Sequence, residues 1–229
     1  MVCSVVLTCL VATFAMAALF PPWANTTTHL VLGTLAVAVV SALAAPMVCA
    51  RSPYATGAAD PVLQPIPFDH RHHVRDDGID CLYCHEAAER SAFAGVPASE
   101  RCMGCHNQIW NDSDLIAPLR ASVATGQPIH WQRVHSLPDF VYFDHAIHVT
   151  RGIGCVTCHG RVDEMAAVYQ VHRLTMSWCL DCHRDPAGQL RPRDQITSMT
   201  WTASGPAERA ALARDYQPRS LTHCSTCHR

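Results

Sequence analysis

One short pattern, written five times, constrains this chain more than anything else in it. C-x-x-C-H occurs at Cys81/Cys84/His85, Cys102/Cys105/His106, Cys155/Cys158/His159, Cys179/Cys182/His183 and Cys224/Cys227/His228, taking up ten of the 13 cysteines. Paired cysteines alone also suit disulfides or tetrahedral zinc, but neither requires a histidine directly after every pair. For a chain with 15 histidines in 229 residues, finding one behind all five pairs by chance is on the order of one in a million. The pattern is the attachment signal for c-type haem: the two thiols add to the vinyl groups and the histidine ligates the iron from one side. Five c-type haems are therefore expected, with the ten cysteines as covalent anchors and His85, His106, His159, His183 and His228 as proximal iron ligands.

A low-spin electron-transfer haem needs a second axial ligand, usually histidine or methionine. Ten histidines remain once the proximal five are assigned, so supply exceeds demand. Four of them stand in a repeated context, FDHRHH (residues 68–73) and FDHAIH (143–148), each seven or eight residues ahead of the next C-x-x-C-H. Histidines three apart on a helical turn lie on neighbouring faces and reach two different irons. His70 and His73, and likewise His145 and His148, are thus expected to bridge pairs of haems, one ligating the haem that follows and the other a haem beside it. His135 in RVHSLPDF is a further candidate. Met176 in LTMSWC either packs on a porphyrin or binds iron through its thioether. His72, His130, His172 and His223 are weaker candidates, and His29 borders an apolar run.

The two histidine pairs also mark an internal duplication. Phe68 to Phe143 is a shift of 75 residues, Cys81 to Cys155 one of 74 and Cys102 to Cys179 one of 77. The expected organisation is two duplicated dihaem units, 66–110 and 141–185, and a fifth haem at 221–229, all within one domain spanning 52–229. Residues 184–223 read as irregular chain with one short helix near 206–214. No sustained amphipathic period runs through the motif regions, and 15 prolines punctuate the chain. The expected fold class is a multihaem cytochrome c: mostly coil with short α-helices wrapped around five covalent haems, plus an N-terminal transmembrane helix. Trp110, Trp131, Tyr142, Trp178 and Trp201 are expected to pack against haem edges.

The first 50 residues are a different material, holding none of the 36 Asp, Glu, Lys and Arg of the chain. Residues 30–50 match the roughly 20 apolar residues that span a bilayer, and 29–51 are read as an uncleaved transmembrane anchor. Residues 1–28 stay ambiguous between a second span, an export signal and a start-site extension. Covalent haem attachment takes place outside the bacterial cytoplasmic membrane, so the haem domain is expected on the periplasmic side. Positive-inside reasoning adds nothing, because no Lys or Arg precedes the anchor. Cys3, Cys9 and Cys49 read as small residues of the apolar runs.

The stretches LFPPWAN, RSPYATG, PFDHRHHV, GIDCLYCH, CMGCHNQIW, LPDFVYFDHAIHV, GIGCVTCHGRVDEM, LTMSWCLDCHR and CSTCHR resemble the membrane-anchored pentahaem cytochrome c subunit of bacterial alternative complex III, from about residue 19 to the end. The histidine-pair arrangement is also similar to the small multihaem cytochromes of the c7 class. The resemblance implies an electron-transfer subunit of a quinol-oxidising respiratory or photosynthetic complex. Its implied partners are an iron-sulfur subunit, polytopic quinol-binding subunits and a monohaem cytochrome, with a soluble periplasmic carrier or terminal oxidase as acceptor. It also implies that Met176, which matches a motif methionine, is an axial ligand, and that positions 130, 172 and 223 need no histidine.

Two other classes compete. A stand-alone membrane-anchored quinol dehydrogenase would oxidise quinol by itself. A catalytic multihaem reductase needs an open iron, sometimes with a lysine ligand, whereas this chain has no lysine and a surplus of histidines. Nothing in the sequence carries a nucleotide-binding or nucleic-acid signature.

Overall fold

The computed structural model describes residues 22–228. The first apolar run, residues 2–20 with Cys3 and Cys9, lies outside the described residues. The chain divides into two compact units, residues 1–55 and 56–229.

Helix α1, Pro22–Ala50, makes up most of the first unit. It begins earlier than the 29–51 span read from the sequence. Proline suits a first helical turn, where its missing N–H is no loss, and the His29 ring bonds to the Asn25 carbonyl one turn back. Leu30, Val31, Leu35, Val37, Val39, Val40, Leu43, Met47 and Val48 are all exposed and leave no face polar. The Thr34 hydroxyl returns to the Leu30 carbonyl at 2.7 Å, so the helix satisfies its own polar group. An 18-residue stretch within Ala24–Ala50 has a mean hydropathy of 2.2, and none of that stretch is buried within the fold. A rise of about 1.5 Å per residue makes Ala24–Ala50 roughly 40 Å long, against a hydrocarbon core of about 30 Å. It is long and apolar enough to cross a membrane.

The second unit is helix and coil. Among its described residues there is no sheet, only isolated bridges between Ala58 and Gln170 and between Ile153 and Leu190. The motif helices are α2 (Cys81–Cys84), α3 (Ser99–His106), α5 (His145–Thr150), α6 (Cys155–His159), α7 (Met176–Arg184) and α9 (Cys224–Cys227). Helix α4, Ala117–Thr125, packs on α3. Helix α8, Pro206–Tyr216, is the helix expected near 206–214.

The polypeptide has little interior of its own. Ile66, Ile116 and Leu119 form one small cluster with Cys102, Met103, Ile129 and Trp131 around it. No large side chain among the described residues is fully buried. A unit of this length would ordinarily bury a substantial apolar core, so the space between the short helices is suited to flat apolar groups supplied from outside the chain.

The duplicated units do not stand apart. The turn Arg71–Asp76 of the first packs on Val162–Glu164 of the second, and α5 of the second packs on Glu86–Glu89 of the first. Main-chain bonds from His145 N to Ala92 O (3.3 Å) and from Ala146 N to Ser91 O (3.1 Å) fix one side of this exchange.

Candidate haem-binding site

In each motif helix the two cysteines are three residues apart, which puts both thiols on one face of a single turn. The histidine that follows closes or just leaves that turn. Asp80 starts α2 by accepting from the Leu82 N–H at 2.8 Å, and its other oxygen takes the Thr197 hydroxyl at 2.6 Å. None of the ten motif cysteines is joined to another in a disulfide. Among the described residues no three His, Cys, Asp or Glu side chains converge as a tetrahedral metal site requires. The motifs thus have neither disulfide nor zinc geometry.

The ten thiols, read from the sequence as equivalent anchors, are not equally enclosed. Cys81, Cys84, Cys102, Cys155, Cys158, Cys179, Cys182 and Cys227 are partly buried, whereas Cys105 and Cys224 are exposed. The difference at Cys105 has a local cause. Within α3 the Ile66 cluster covers Cys102 and Met103, and Cys105, three residues further on, lies beyond that cover in the last turn of the helix. Cys224 opens α9, close to the end of the chain, where His223 and Ser225 on either side are exposed as well.

The histidines are oriented for iron. His85 Nδ1 meets the Gly95 carbonyl at 3.0 Å, His106 the Ile109 carbonyl at 3.1 Å and His228 the Phe140 carbonyl at 3.0 Å. Of the repeat histidines, His73 Nδ1 meets the Asp69 carbonyl at 3.0 Å, His145 the Ala92 carbonyl at 3.0 Å and His148 the Asp144 carbonyl at 2.6 Å. A carbonyl at Nδ1 fixes the tautomer with the proton there. It leaves the Nε2 lone pair for a metal and makes it more basic.

Three pairs of rings face one another at nearly one distance: His73 and His106 at 6.1 Å, His145 and His159 at 6.2 Å, and His148 and His183 at 6.1 Å between ring centres. Two imidazoles on opposite sides of one metal, each bonded at about 2 Å, have ring centres roughly 6 Å apart. His70 and His85 hold in the first repeat the places that His145 and His159 hold in the second. The residues fit c-type haem on donor type, tautomer and separation.

Phenylalanine sets the direction of each pair. Phe68 stacks on His73 with centres 4.4 Å apart and meets His70 edge-on at 4.8 Å. Phe143 does the same to His148 (4.5 Å) and His145 (4.7 Å). The backbones beneath differ. Asp144 caps α5 in the usual way, accepting from the Ile147 N–H at 3.1 Å. Asp69 is held by the Arg71 side chain, at 2.6 Å to Nη2, and accepts from the Arg71 N–H instead. Its turn winds wider, as a π-helical segment closing with Asp77 N–H on the His72 carbonyl at 2.8 Å. Ala146 occupies the place of Arg71 in the second repeat, so nothing competes for Asp144.

Burial keeps several of these groups neutral. It is the main cause lowering His70 and His135 to about 4 and His159 to about 3, with neighbouring histidines adding to the effect. Burial also lowers His148 and pushes the Cys158 thiol up to about 12. An imidazole held neutral keeps its lone pair for iron.

The remaining candidates divide. His135 stands edge-on to His159 at 4.4 Å, closer than two ligands of one iron stand, and its Nε2 is buried without a partner. It is a neighbour of the His145/His159 pair rather than a member of it. Met176 opens α7 and is 67% exposed. His72 pairs with Asp76 at 3.1 Å and His172 stacks on Trp178 at 4.9 Å. His130 and His223 are exposed. Of the aromatics expected at haem edges, Trp131 borders the Ile66 cluster and Trp201 lies under Arg191 at 5.3 Å.

Sequence reading missed one contributor. Residues 196–197, inside a stretch read as irregular linker, seat two attachment sites at once: Cys155 N–H bonds to the Ile196 carbonyl at 3.0 Å, and the Cys81 sulfur lies 3.9 Å from the Thr197 carbonyl oxygen. No composition signal marks such a seat, because its contacts are made by carbonyls that every residue has.

A region of 97 residues is 37% identical to the menaquinone reductase multihaem cytochrome c subunit of Nitratidesulfovibrio vulgaris (strain Hildenborough), covering 42% of this chain and 45% of that protein. The chain thus matches somewhat under half of the relative's length. Residues 141–229 match the family of cytochrome c7 and related cytochrome c. The chain accordingly carries a cytochrome c7-like multihaem domain, built of helix and coil, with c-type haem as its cofactor.

Proposed function

We propose that this chain binds five c-type haems, one at each C-x-x-C-H unit, and relays single electrons as a subunit of a quinol-oxidising membrane complex of the alternative complex III type. The observation that carries the reading is the set of three imidazole pairs at 6.1–6.2 Å, each spanning a motif histidine and a histidine of the F-D-H-x-x-H repeats. His85, His106, His159, His183 and His228 serve as proximal ligands, with His70, His73, His145 and His148 opposite the first four in the pairing 70/85, 73/106, 145/159 and 148/183. Met176 serves His228. Helix α1 anchors the chain, and residues 51–229 face the periplasm.

The bound haems supply one-electron redox chemistry. The chain's own residues set the conditions for it. The backbone carbonyls at Nδ1 of His73, His85, His106, His145, His148 and His228 hold those six imidazoles in one tautomer and raise their donor strength. Phe68 and Phe143 fix ring direction, and the thioether of Met176 raises one potential above the rest. No residue is called on to move a proton or form a bond with a substrate. Electrons arrive from an iron-sulfur subunit fed by polytopic quinol-binding subunits, and leave toward a monohaem cytochrome, a soluble carrier or an oxidase.

A second reading, favoured by the name of the Nitratidesulfovibrio relative, runs the same relay toward menaquinone reduction. The test is anaerobic addition of quinol to membranes holding the complex, read at the haem absorption bands. Rapid haem reduction supports quinol oxidation. Haems that stay oxidised with quinol, yet reduce with a low-potential electron donor and reoxidise on adding menaquinone, establish the second reading.

A further inference from the structure

We infer that the five attachment sites form one unbranched line, in the order His106, His85, His159, His183, His228, so that exchange with other proteins takes place at the His106 and His228 ends. The inference rests on the reading of these sites as haem sites. Its evidence is how the sites are joined.

His106 and His85 are joined by the first histidine turn. His73 faces His106 at 6.1 Å, and His70 stands three residues before it on the same turn, in the place that His145 holds before His148 in the second repeat. Phe68 touches both repeat histidines. The helices themselves touch: Arg101 of α3 reaches Glu86 at 3.4 Å and lies over the Tyr83 ring at 4.9 Å.

His85 and His159 are joined across the duplication. Cys81 and Cys155 share the seat at residues 196–197. His145, which faces His159, is hung by both its ring and its main chain on the Ala92 carbonyl, seven residues past His85.

His159 and His183 repeat the first junction. His145 and His148 face them from one turn of α5, with Phe143 against both. His183 and His228 are joined by the C-terminal segment, where Leu221 N–H bonds to the His183 carbonyl at 3.2 Å. The segment just ahead of α5 holds the last site: Tyr142 N–H meets the Cys227 carbonyl at 2.8 Å and His228 Nδ1 the Phe140 carbonyl at 3.0 Å.

Each of these junctions connects two sites. At every step one electron leaves one site and arrives at the next, with no proton or bond changing hands. The line departs from chain order at its first member, because the F-D-H-x-x-H turn precedes both sites it serves and sends its second histidine to the later one.

The test compares two ligand exchanges that keep every thioether bond, His73→Met at the His106 end and His145→Met in the interior, in the full-length protein. A thioether ligand raises its own site's potential. That site then fills first, and the added negative charge lowers its immediate neighbours, an effect that fades with distance and screening. A spectroelectrochemical titration should show H73M moving its own transition and one other, and H145M moving its own and two others. Two or more neighbours moved by H73M, or one alone by H145M, overturns the line. Intact mass separates this failure from the other: a wild-type chain with fewer than five haems overturns the haem assignment together with the order.

Discussion

His145 and His159 face each other with planes only 15° from parallel, whereas His148 and His183, at almost the same separation, are crossed at 78°. Parallel imidazoles donate into the same iron d orbital and split it from its partner. Crossed ones donate into both and leave them nearly degenerate. The ferric site at His183 should therefore give a broad low-spin EPR signal with its low-field feature at unusually high g, and the site at His159 an ordinary rhombic one. His148→Met should remove the high-g signal and leave the rhombic one. Loss of the rhombic signal instead would show that the two pairs are assigned the wrong way round.

Met176 should set the highest potential in the chain. Met176→His replaces a thioether with a stronger donor and should lower its own site's transition most, leaving the number of haems unchanged. Met176→Ala should open the iron and produce a high-spin ferric signal that responds to added imidazole. A titration of M176H that overlays the wild type removes the residue from the ligand set.

Acid sensitivity follows from Asp69. Its hydrogen bonds from Arg71 bring the carboxyl down from 3.8 to about 2, against the opposing effect of burial. A carboxyl with a depressed folded value contributes stability that is present above its unfolded value and is lost as pH falls. The loss should run from about pH 4 down to pH 2. Thermal unfolding should show Asp69→Asn flatter than wild type across that window and parallel to it above pH 5. Parallel curves throughout would show that the ion pair contributes nothing.

Gly152 has φ +86°, and an added Cβ would sit 2.7 Å from the Tyr216 ring. Gly126 has a similar φ, +70°, but open space around it. Left-handed backbone costs an L residue about 1–2 kcal/mol, and forcing an aromatic out of place adds about 1–3. Gly152→Ala should therefore lower Tm clearly more than Gly126→Ala. Equal losses would mean that Tyr216 yields freely and does not hold the turn between α5 and α6.

Deleting residues 24–50 while supplying an export signal should move the protein from the alkali-resistant membrane fraction to the soluble one, with its haem complement intact. Retention in the membrane would assign anchoring to other parts of the chain or to partners.

Sequence alone puts His70, His73, His145 and His148 forward as ligands because ligand chemistry is local: residue type and a spacing of three are enough to single them out. The same locality made α1 and α8 readable. The π-helical turn was not, since it depends on Arg71 taking the carboxylate that Asp144 keeps for its own cap. Nor was the exchange between repeats legible, because the bonds from residues 145–146 to 91–92 are made by main-chain groups and leave no trace in composition. The unequal cover of Cys102 and Cys105 is of the same kind, set by a cluster whose members come from residues 66, 116 and 119. His135 reads as a ligand in its motif, and only its 4.4 Å approach to His159 sets it beside that pair.

The mutual packing of the repeats, 71–76 on 162–164 and α5 on 86–89, makes the molecule the equivalent of a domain-swapped dimer spliced into one strand. A ribosome delivers the earlier half first, and its closing surface does not exist until residues 145–164 have followed. The first two attachment motifs therefore wait in an unfinished fold while the rest of the chain is made. The interval in which their thiols stay accessible is set by the speed of synthesis.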